Sequence, residues 1–250
     1  MIELRNVTKR FGSRKVLDNI SLTIQDGETF VIIGQSGMGK TVMLRHIAGL
    51  FDPDEGDVLI DGVKMNGANR KTKEELRERI GILFQSGALL NWMSVAENLA
   101  LPLVEHKKYS PAEIDRLVDD KLAVLQLTDA KFKMPSDISG GMKKRVGLAR
   151  ALIREPQIIL YDEPTSGLDP VMSEVINQLI LQLQREFKVT SFVVTHDMRS
   201  AYTIADRIAM LYQGKLVQCD TPENIQNTAN PIVRQFIEGR LEGPIEVRRD

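Results

Sequence analysis

The stretch Gly34-Gln35-Ser36-Gly37-Met38-Gly39-Lys40-Thr41 constrains this chain more than any other. It fits the spacing G-x-x-x-x-G-K-[ST], which is informative only where a strand precedes it and a helix follows. Both neighbours are in place: residues 28–33 form a short apolar run, and Val42-Met43-Leu44-Arg45-His46-Ile47-Ala48 continues as a helical pattern. Gly34, Gly37 and Gly39 permit backbone conformations closed to other residues, which turns successive N–H groups inward as a nest for an anion. A helix starting near Lys40 adds the positive end of its dipole. Lys40 supplies a point charge for β- and γ-phosphates, and the Thr41 hydroxyl is a ligand type for Mg²⁺. The competing reading, a glycine-rich turn with a surface lysine, is disfavoured by the flanking strand and helix.

Further short β-rich runs at 157–162 and 189–195 alternate with helical patterns, which predicts a layered α/β domain with a largely parallel sheet. Continuous Val/Ile/Leu in these runs suits strands covered on both faces. Residues 207–211 and 215–218 flank Gln213-Gly214 and read as an antiparallel hairpin. From 92 to 154 the pattern turns helical, an α-helical block inserted into the α/β core. Within it, Ser110-Pro111-Ala112-Glu113 reads as a capping box ahead of the stripe Ile114, Leu117, Val118, Leu122 and Leu125. A second helix starts near Gly141 and carries Val146, Leu148, Ala149, Leu152 and Ile153. A later helix starts at Asp169-Pro170 with Val171, Val175, Leu179 and Leu183 expected on its inner side. The charged segment 241–250, broken by Gly243 and Pro244, is expected as an extension outside the core, placed to lie against a second protomer.

Two carboxylates, Asp162 and Glu163, end the apolar run 158–161, where open α/β sheets bind ligands. Beside a phosphate loop, Asp162 suits a Mg²⁺ ligand and Glu163 a base that orients or deprotonates attacking water. Taken alone, the pair would be two solvated acids at a strand end. His196 follows the third strand and stands at the same end of the sheet. A lone histidine is as readily structural, but that position also suits a γ-phosphate contact.

Composition narrows the classes. With 33 Lys and Arg against 34 Asp and Glu, the net charge of −1 gives no bulk attraction to nucleic acid or anionic lipid. No apolar run reaches the ~18 residues a membrane helix needs. The opening residues lack the pattern of a secretory signal, and the one cysteine, Cys219, permits neither an internal disulfide nor a cysteine cluster. A reducing cytoplasm is the expected compartment, with any membrane role reached through a partner.

Ile138-Ser139-Gly140-Gly141-Met142-Lys143-Lys144-Arg145 closely resembles the signature motif of the ATP-binding cassette (ABC) family. The order of phosphate loop, Gln85, signature, Asp162-Glu163, Ser166-Gly167-Leu168-Asp169 and His196 also resembles that family, over roughly residues 2–218. The resemblance implies a P-loop ATPase domain over 1–240, with a mainly parallel core sheet, an N-terminal antiparallel β portion and an inserted helical subdomain at about 92–154. It implies a head-to-tail homodimer, in which the signature of one protomer covers the ATP held by the phosphate loop of the other. ATP contacts then fall to Phe11, stacked on adenine, to Gly34, Gln35, Ser36, Gly37, Met38, Gly39, Lys40, Thr41 and Val42, and in trans to Ser139, Gly140, Gly141, Met142 and Asp169. Thr41, Gln85 and Asp162 hold Mg²⁺, and Lys40, Gln85, Glu163 and His196 act on the reaction. Phe11 also has a plain alternative as a core aromatic. Met142 stands where most members carry Gln, and its side chain donates no hydrogen bond, so any contact there is apolar or through backbone.

The Met in the signature and the stretch Phe84-Gln85-Ser86-Gly87-Ala88-Leu89-Leu90 resemble the ATPase subunit of the maintenance-of-lipid-asymmetry (Mla) transporters of Gram-negative bacteria. That resemblance implies hydrolysis of MgATP at the cytoplasmic face of the inner membrane to drive phospholipid transport. It implies a permease homodimer, a small cytoplasmic regulatory subunit and a periplasmic Mce-type lipid-binding protein as partners, and no nucleic acid. The region after Gln85, including 87–92 and the helical block, is the expected docking groove for a permease helix, with Leu89, Leu90, Trp92 and Met93 offering its apolar surface or being ordinary core. An ABC ATPase for another cargo, a soluble ABC ATPase and a nucleotide-binding regulator that does not hydrolyse stay as alternatives.

Overall fold

The computed structural model describes residues 1–246. The chain opens with a hairpin of β1 (Ile2–Phe11) and β2 (Arg14–Ile24), paired antiparallel from Phe11↔Arg14 to Ile2↔Ile24. β3 (Thr29–Ile33) follows, buried along its whole length, and leads through the glycine-rich loop into α1 (Lys40–Ile47). β4 (Glu55–Ile60) returns to pair antiparallel with β1, and β5 (Val63–Lys64) pairs with β4. This gives a four-stranded antiparallel sheet in the order β2-β1-β4-β5. After α2 (Arg70–Glu78), capped by the Asn69 side chain, β6 (Ile80–Leu83) begins the approach to the helical block.

That block holds α3 (Val95–His106), α4 (Pro111–Val124) and α5 (Gly140–Leu152). Capping boxes start α3 at Ser94/Glu97 and α4 at Ser110/Glu113, so each helix pairs otherwise orphaned N–H groups from its own sequence. Val118, Leu122 and Leu125 are buried, and Ile114 and Leu117 pack beside them, as the apolar stripe requires. The chain then forms β7 (Ile158–Asp162), α6 (Pro170–Phe187), β8 (Thr190–Val194), α7 (Met198–Ile204), β9 (Arg207–Tyr212), β10 (Lys215–Asp220), α8 (Pro222–Gln226) and α9 (Pro231–Glu238). The second sheet runs β10-β9-β3-β8-β7-β6; its pairs are parallel except the β9–β10 hairpin at the edge.

Side chains alternate across this sheet and feed two apolar layers. Phe30, Ile32, Leu160, Phe192 and Val194 pack toward the antiparallel sheet and α1. Val31, Ile33, Ile159, Tyr161 and Val193 pack with residues of α3–α6. Covering on both faces is why these strands are continuous apolar runs.

Two expectations need correction. The inner face of α6 is formed by Ile176, Ile180 and Leu183, while Val171 is 73% exposed and Val175 is also exposed. Leu179 of the expected face packs partly against the core and Leu183 is buried, so the expectation fails only at Val171 and Val175. The tail is likewise not clear of the core. Ile245 is buried in the main apolar cluster, and its N–H donates to Gln235 Oε1 at 2.7 Å while its carbonyl accepts from Gln235 Nε2 at 3.1 Å. One buried isoleucine held by a buried glutamine outweighs the polar composition around it. The remainder of the expected extension, 247–250, lies outside the described residues.

Candidate active site

The loop between β3 and α1 takes the shape its glycines allow. Gly34, Gly37 and Gly39 have φ values of 145°, 75° and 102°. A Cβ at Gly39 would also stand 2.8 Å from the Val16 carbonyl oxygen, so β2 presses directly on the loop. The Lys40 ammonium bridges the loop, donating to the Gly34 carbonyl at 2.6 Å and the Gln35 carbonyl at 3.0 Å. Burial pulls its pKa down, opposed by the Glu163 and Asp162 carboxylates. A cation held this way carries little solvation and gains strongly from phosphate oxygens.

The end of β7, one strand removed from β3 across β8, brings the acids to the same place. Thr41 Oγ1 donates to Asp162 Oδ1 at 3.0 Å, so a hydroxyl and a carboxylate from distant parts of the sequence share one spot. Burial raises the Asp162 pKa, against the Thr41 hydrogen bond, and the Glu163 charge adds to the rise. Two hard oxygen donors beside an anion nest fit a Mg²⁺ ion whose other ligands are phosphate oxygens and water.

Glu163 is buried and has φ 50°, the left-handed region that a non-glycine residue occupies only under constraint. Its N–H donates to the Val194 carbonyl at 2.9 Å, tying it to β8. Its Oε2 lies 2.9 Å from His196 Nδ1, while the His196 ring is largely exposed. Gln85, at the end of β6, reaches Ser166 Oγ at 3.4 Å.

Phe11, Ser36, Gly37, Gly39, Lys40, Thr41, Val42, Gln85, Glu163 and His196 all line one cavity of about 470 Å³. Phe11 is 47% exposed, with its ring edge against Phe51 at 6.1 Å between centroids, which sets aside the core-aromatic alternative. Ser139, Gly140, Gly141, Met142 and Asp169 do not line that cavity. Ser139 caps α5 by accepting from the Met142 N–H at 3.3 Å, and the Met142 side chain packs partly into the core. Asp169 is exposed and caps α6 through Oδ1, accepting from Val171 and Met172 N–H. A Cβ at Gly141 would meet Met172 Cε at 2.6 Å, so the signature turn and the start of α6 are neighbours.

Three structural supports escaped the sequence reading. Lys144 is buried and donates to the Glu163 carbonyl at 2.8 Å. Burial pushes its pKa down to about 8, against the pull of Glu163 and Asp162. Its spacing to Leu148 and Leu152 on the inward stripe of α5 was the available signal. Asn98, fully buried on α3, accepts from the Leu90 N–H and donates to the Leu90, Met93 and Ser94 carbonyls. Arg150 donates to the Gly87 and Ala88 carbonyls at 2.9 and 2.8 Å. Asn98 and Arg150 together fix the segment 87–94, from which Trp92 projects with 74% exposure while Leu89, Leu90 and Met93 are partly covered. No helix among the described residues is long and apolar enough to cross a membrane.

The chain resembles known proteins over nearly its whole length. A family model described as "ABC transporter" matches residues 17–166. A Mycobacterium leprae protein named "probable ribonucleotide transport ATP-binding protein mkl" is 43% identical over 244 residues, 98% of this chain and 70% of that one. The Escherichia coli "intermembrane phospholipid transport system ATP-binding protein MlaF" is 40% identical over 248 residues, 99% of this chain and 92% of that one. Among solved structures, the ATP-binding cassette MJ0796, a dimer in a post-hydrolysis state with ADP and Pi, superposes with a TM-score of 0.82. That match has 36% identity and covers 89% of this chain and 99% of that one.

Proposed function

The chain belongs to the ABC transporter family of ATP hydrolases, and we propose that it powers phospholipid transport between the inner and outer membranes of a Gram-negative bacterium. In this reading it sits at the cytoplasmic face of the inner membrane, held there by permease subunits that dock over segment 87–94. A small cytoplasmic regulatory subunit and a periplasmic Mce-type lipid-binding protein complete the assembly.

The observation that carries the hydrolytic part is the Glu163–His196 contact of 2.9 Å in the cavity that Lys40 and Thr41 also line. ATP lies with its phosphates in the nest, its adenine against Phe11 and Val16. Lys40 exchanges carbonyl partners for β- and γ-oxygens. Glu163 accepts a proton from, or orients, the water in line with the γ-phosphate. His196 holds that carboxylate and reaches toward the γ-phosphate, and Gln85 approaches the same water. Thr41 and Asp162, together with Gln85, would hold Mg²⁺, which when bound would supply positive charge to the phosphates.

The site is completed by a second copy. Ser139, Gly140, Gly141 and Met142 start a 13-residue helix whose positive end suits a phosphate, yet they do not line the cavity of their own chain. Set head-to-tail, each signature covers the partner's nucleotide, with Asp169 at the seam between the two sites. Loss of the γ-phosphate removes an anion shared by both chains and lets the pair open. Support comes from the dimeric state of the similar cassette with ADP and Pi.

For the cargo, support comes from the 40% identity to MlaF across 99% of this chain. The mycobacterial relatives named for ribonucleotide transport favour a second reading, in which the same ATPase energises nucleotide uptake. Copurification of the tagged chain with its permease and reconstitution into vesicles decides between them. ATP-dependent transfer of fluorescent phospholipid supports the first; ATP-dependent accumulation of labelled ribonucleotide without lipid transfer replaces it.

A further inference from the structure

Lys144 is the one lysine of the Lys143-Lys144-Arg145 run that is buried, at 5% exposure. Its ammonium ends on a main-chain acceptor, the carbonyl oxygen of Glu163, at 2.8 Å. Burying a lysine costs solvation that one carbonyl replaces only in part, so the contact needs a reason beyond packing.

The acceptor residue supplies one. Glu163 holds φ 50°, and the peptide planes on either side of it set where its carboxylate points. On one side its N–H is fixed by the Val194 carbonyl at 2.9 Å. On the other, Lys144 fixes its carbonyl. Removing either clamp lets the residue relax toward an ordinary conformation and swings the carboxylate away from His196.

The base from which Lys144 reaches is stiff. A Cβ added to Gly147 on α5 would meet Leu83 Cδ1 at 2.9 Å and Gly87 Cα at 3.1 Å, so the helix lies hard against β6 and the segment after Gln85. Arg150, further along α5, grips the Gly87 and Ala88 carbonyls.

We infer that Lys144 is a positioning residue for hydrolysis: by clamping the Glu163 carbonyl it holds that residue's left-handed backbone and so aims the carboxylate at the attacking water. This rests on Glu163 being the base, as proposed above. Lys144 does not line the cavity shared by Lys40, Thr41 and Glu163, so it governs the chemical step and leaves nucleotide capture alone.

The test uses the full chain and four variants, Lys144→Met, Lys144→Arg, Glu163→Gln and the Lys144→Met/Glu163→Gln pair, assayed for ATP turnover and for binding of a fluorescent ATP analogue. Lys144→Met is expected to lower kcat by about 10- to 100-fold, the scale of a misplaced catalytic group, with KM and analogue affinity within about two-fold of the parent. Lys144→Arg keeps a donor and restores most of the rate. In the Glu163→Gln background, Lys144→Met costs nothing further, because it acts only through that carboxylate. A Lys144→Met chain with parental kcat, an equal loss in Lys144→Arg, or a full additional loss in the double variant overturns the inference. If Glu163→Gln itself keeps parental turnover, the base assignment fails first and the inference with it. If Glu163→Gln is inactive and Lys144→Met is not, the inference alone fails. Should Lys144→Met not fold cooperatively, Lys144→Gln, one atom shorter and out of reach of the carbonyl, carries the same comparison: reduced kcat at parental affinity supports it, parental kcat overturns it.

Discussion

Glu163 Oε2 and His196 Nδ1 stand 2.9 Å apart at the ends of neighbouring strands β7 and β8, with the carboxylate buried and the imidazole mostly in solvent. The carboxylate therefore has one face committed to the histidine and one free to meet water over the phosphate loop. Glu163→Gln keeps the shape and removes the base. We expect it to bind ATP, to accumulate as a nucleotide-bound dimer in size-exclusion chromatography, and to turn over at least about 100-fold more slowly. Parental turnover would remove Glu163 from the reaction.

Thr41 and Asp162 make a second pair, joined at 3.0 Å. Thr41→Ala deletes the hydroxyl and leaves the carboxylate without its donor. The Mg²⁺ concentration for half-maximal activity is expected to rise about 10-fold or more, the scale for weakening a cation's oxygen shell. Lys40→Ala removes the phosphate cation and is expected to weaken ATP binding itself. Equilibrium titration with a fluorescent analogue, with and without Mg²⁺, separates the two: Thr41→Ala retains much of the metal-free binding and Lys40→Ala loses both.

Much of this site was legible because its determinants are local. Gly34, Gly37 and Gly39 announce left-handed backbone, and short apolar runs announce strands buried on both faces, whatever the rest of the chain does. Tertiary facts were not legible in the same way. The spacing of Lys144 to Leu148 and Leu152 sets it apart from Lys143, but nothing local says that it reaches the Glu163 carbonyl. The Val171/Val175 pair and the Ile176/Ile180 pair of α6 are both apolar, and their local pattern does not say which of them is buried. Asn98 reads as one polar residue in an apolar helix until its partners at Leu90, Met93 and Ser94 are folded onto it.

The buried position of Lys144 carries a pH signature. Its folded pKa, about 8, lies below the ordinary lysine value of 10.5 because burial disfavours the charge more than Glu163 and Asp162 restore it. Between those two values the unfolded chain binds a proton that the folded chain has released, so stability gains a contribution as pH rises through the window. Lys144→Met removes that contribution. The difference in unfolding free energy between parent and Lys144→Met is expected to move in the parent's favour from about pH 8 toward 10.5, measured by denaturant titration at each pH. A difference independent of pH would show that the lysine is solvated.

The carboxy-terminal segment offers a test of what anchors a polar tail. Gln235 is 4% exposed, and its amide answers both backbone groups of Ile245, accepting from the N–H at 2.7 Å and donating to the carbonyl at 3.1 Å. Tyr212 adds a phenol hydrogen bond to the Pro244 carbonyl at 3.3 Å. Burying the isoleucine and satisfying its backbone are thus separate contributions made at one place. Ile245→Ala removes apolar burial and is expected to cost about 2–4 kcal/mol in a denaturant titration. Gln235→Ala leaves an N–H and a carbonyl without their partner and is expected to cost about 1–3 kcal/mol. Because the glutamine acts on the backbone that carries the isoleucine, the double variant should cost less than the two losses added together. Unchanged midpoints in both single variants would mean that the segment does not rest on the domain in solution. Full additivity would mean that the two side chains stabilise the fold independently, with no shared clamp on residue 245.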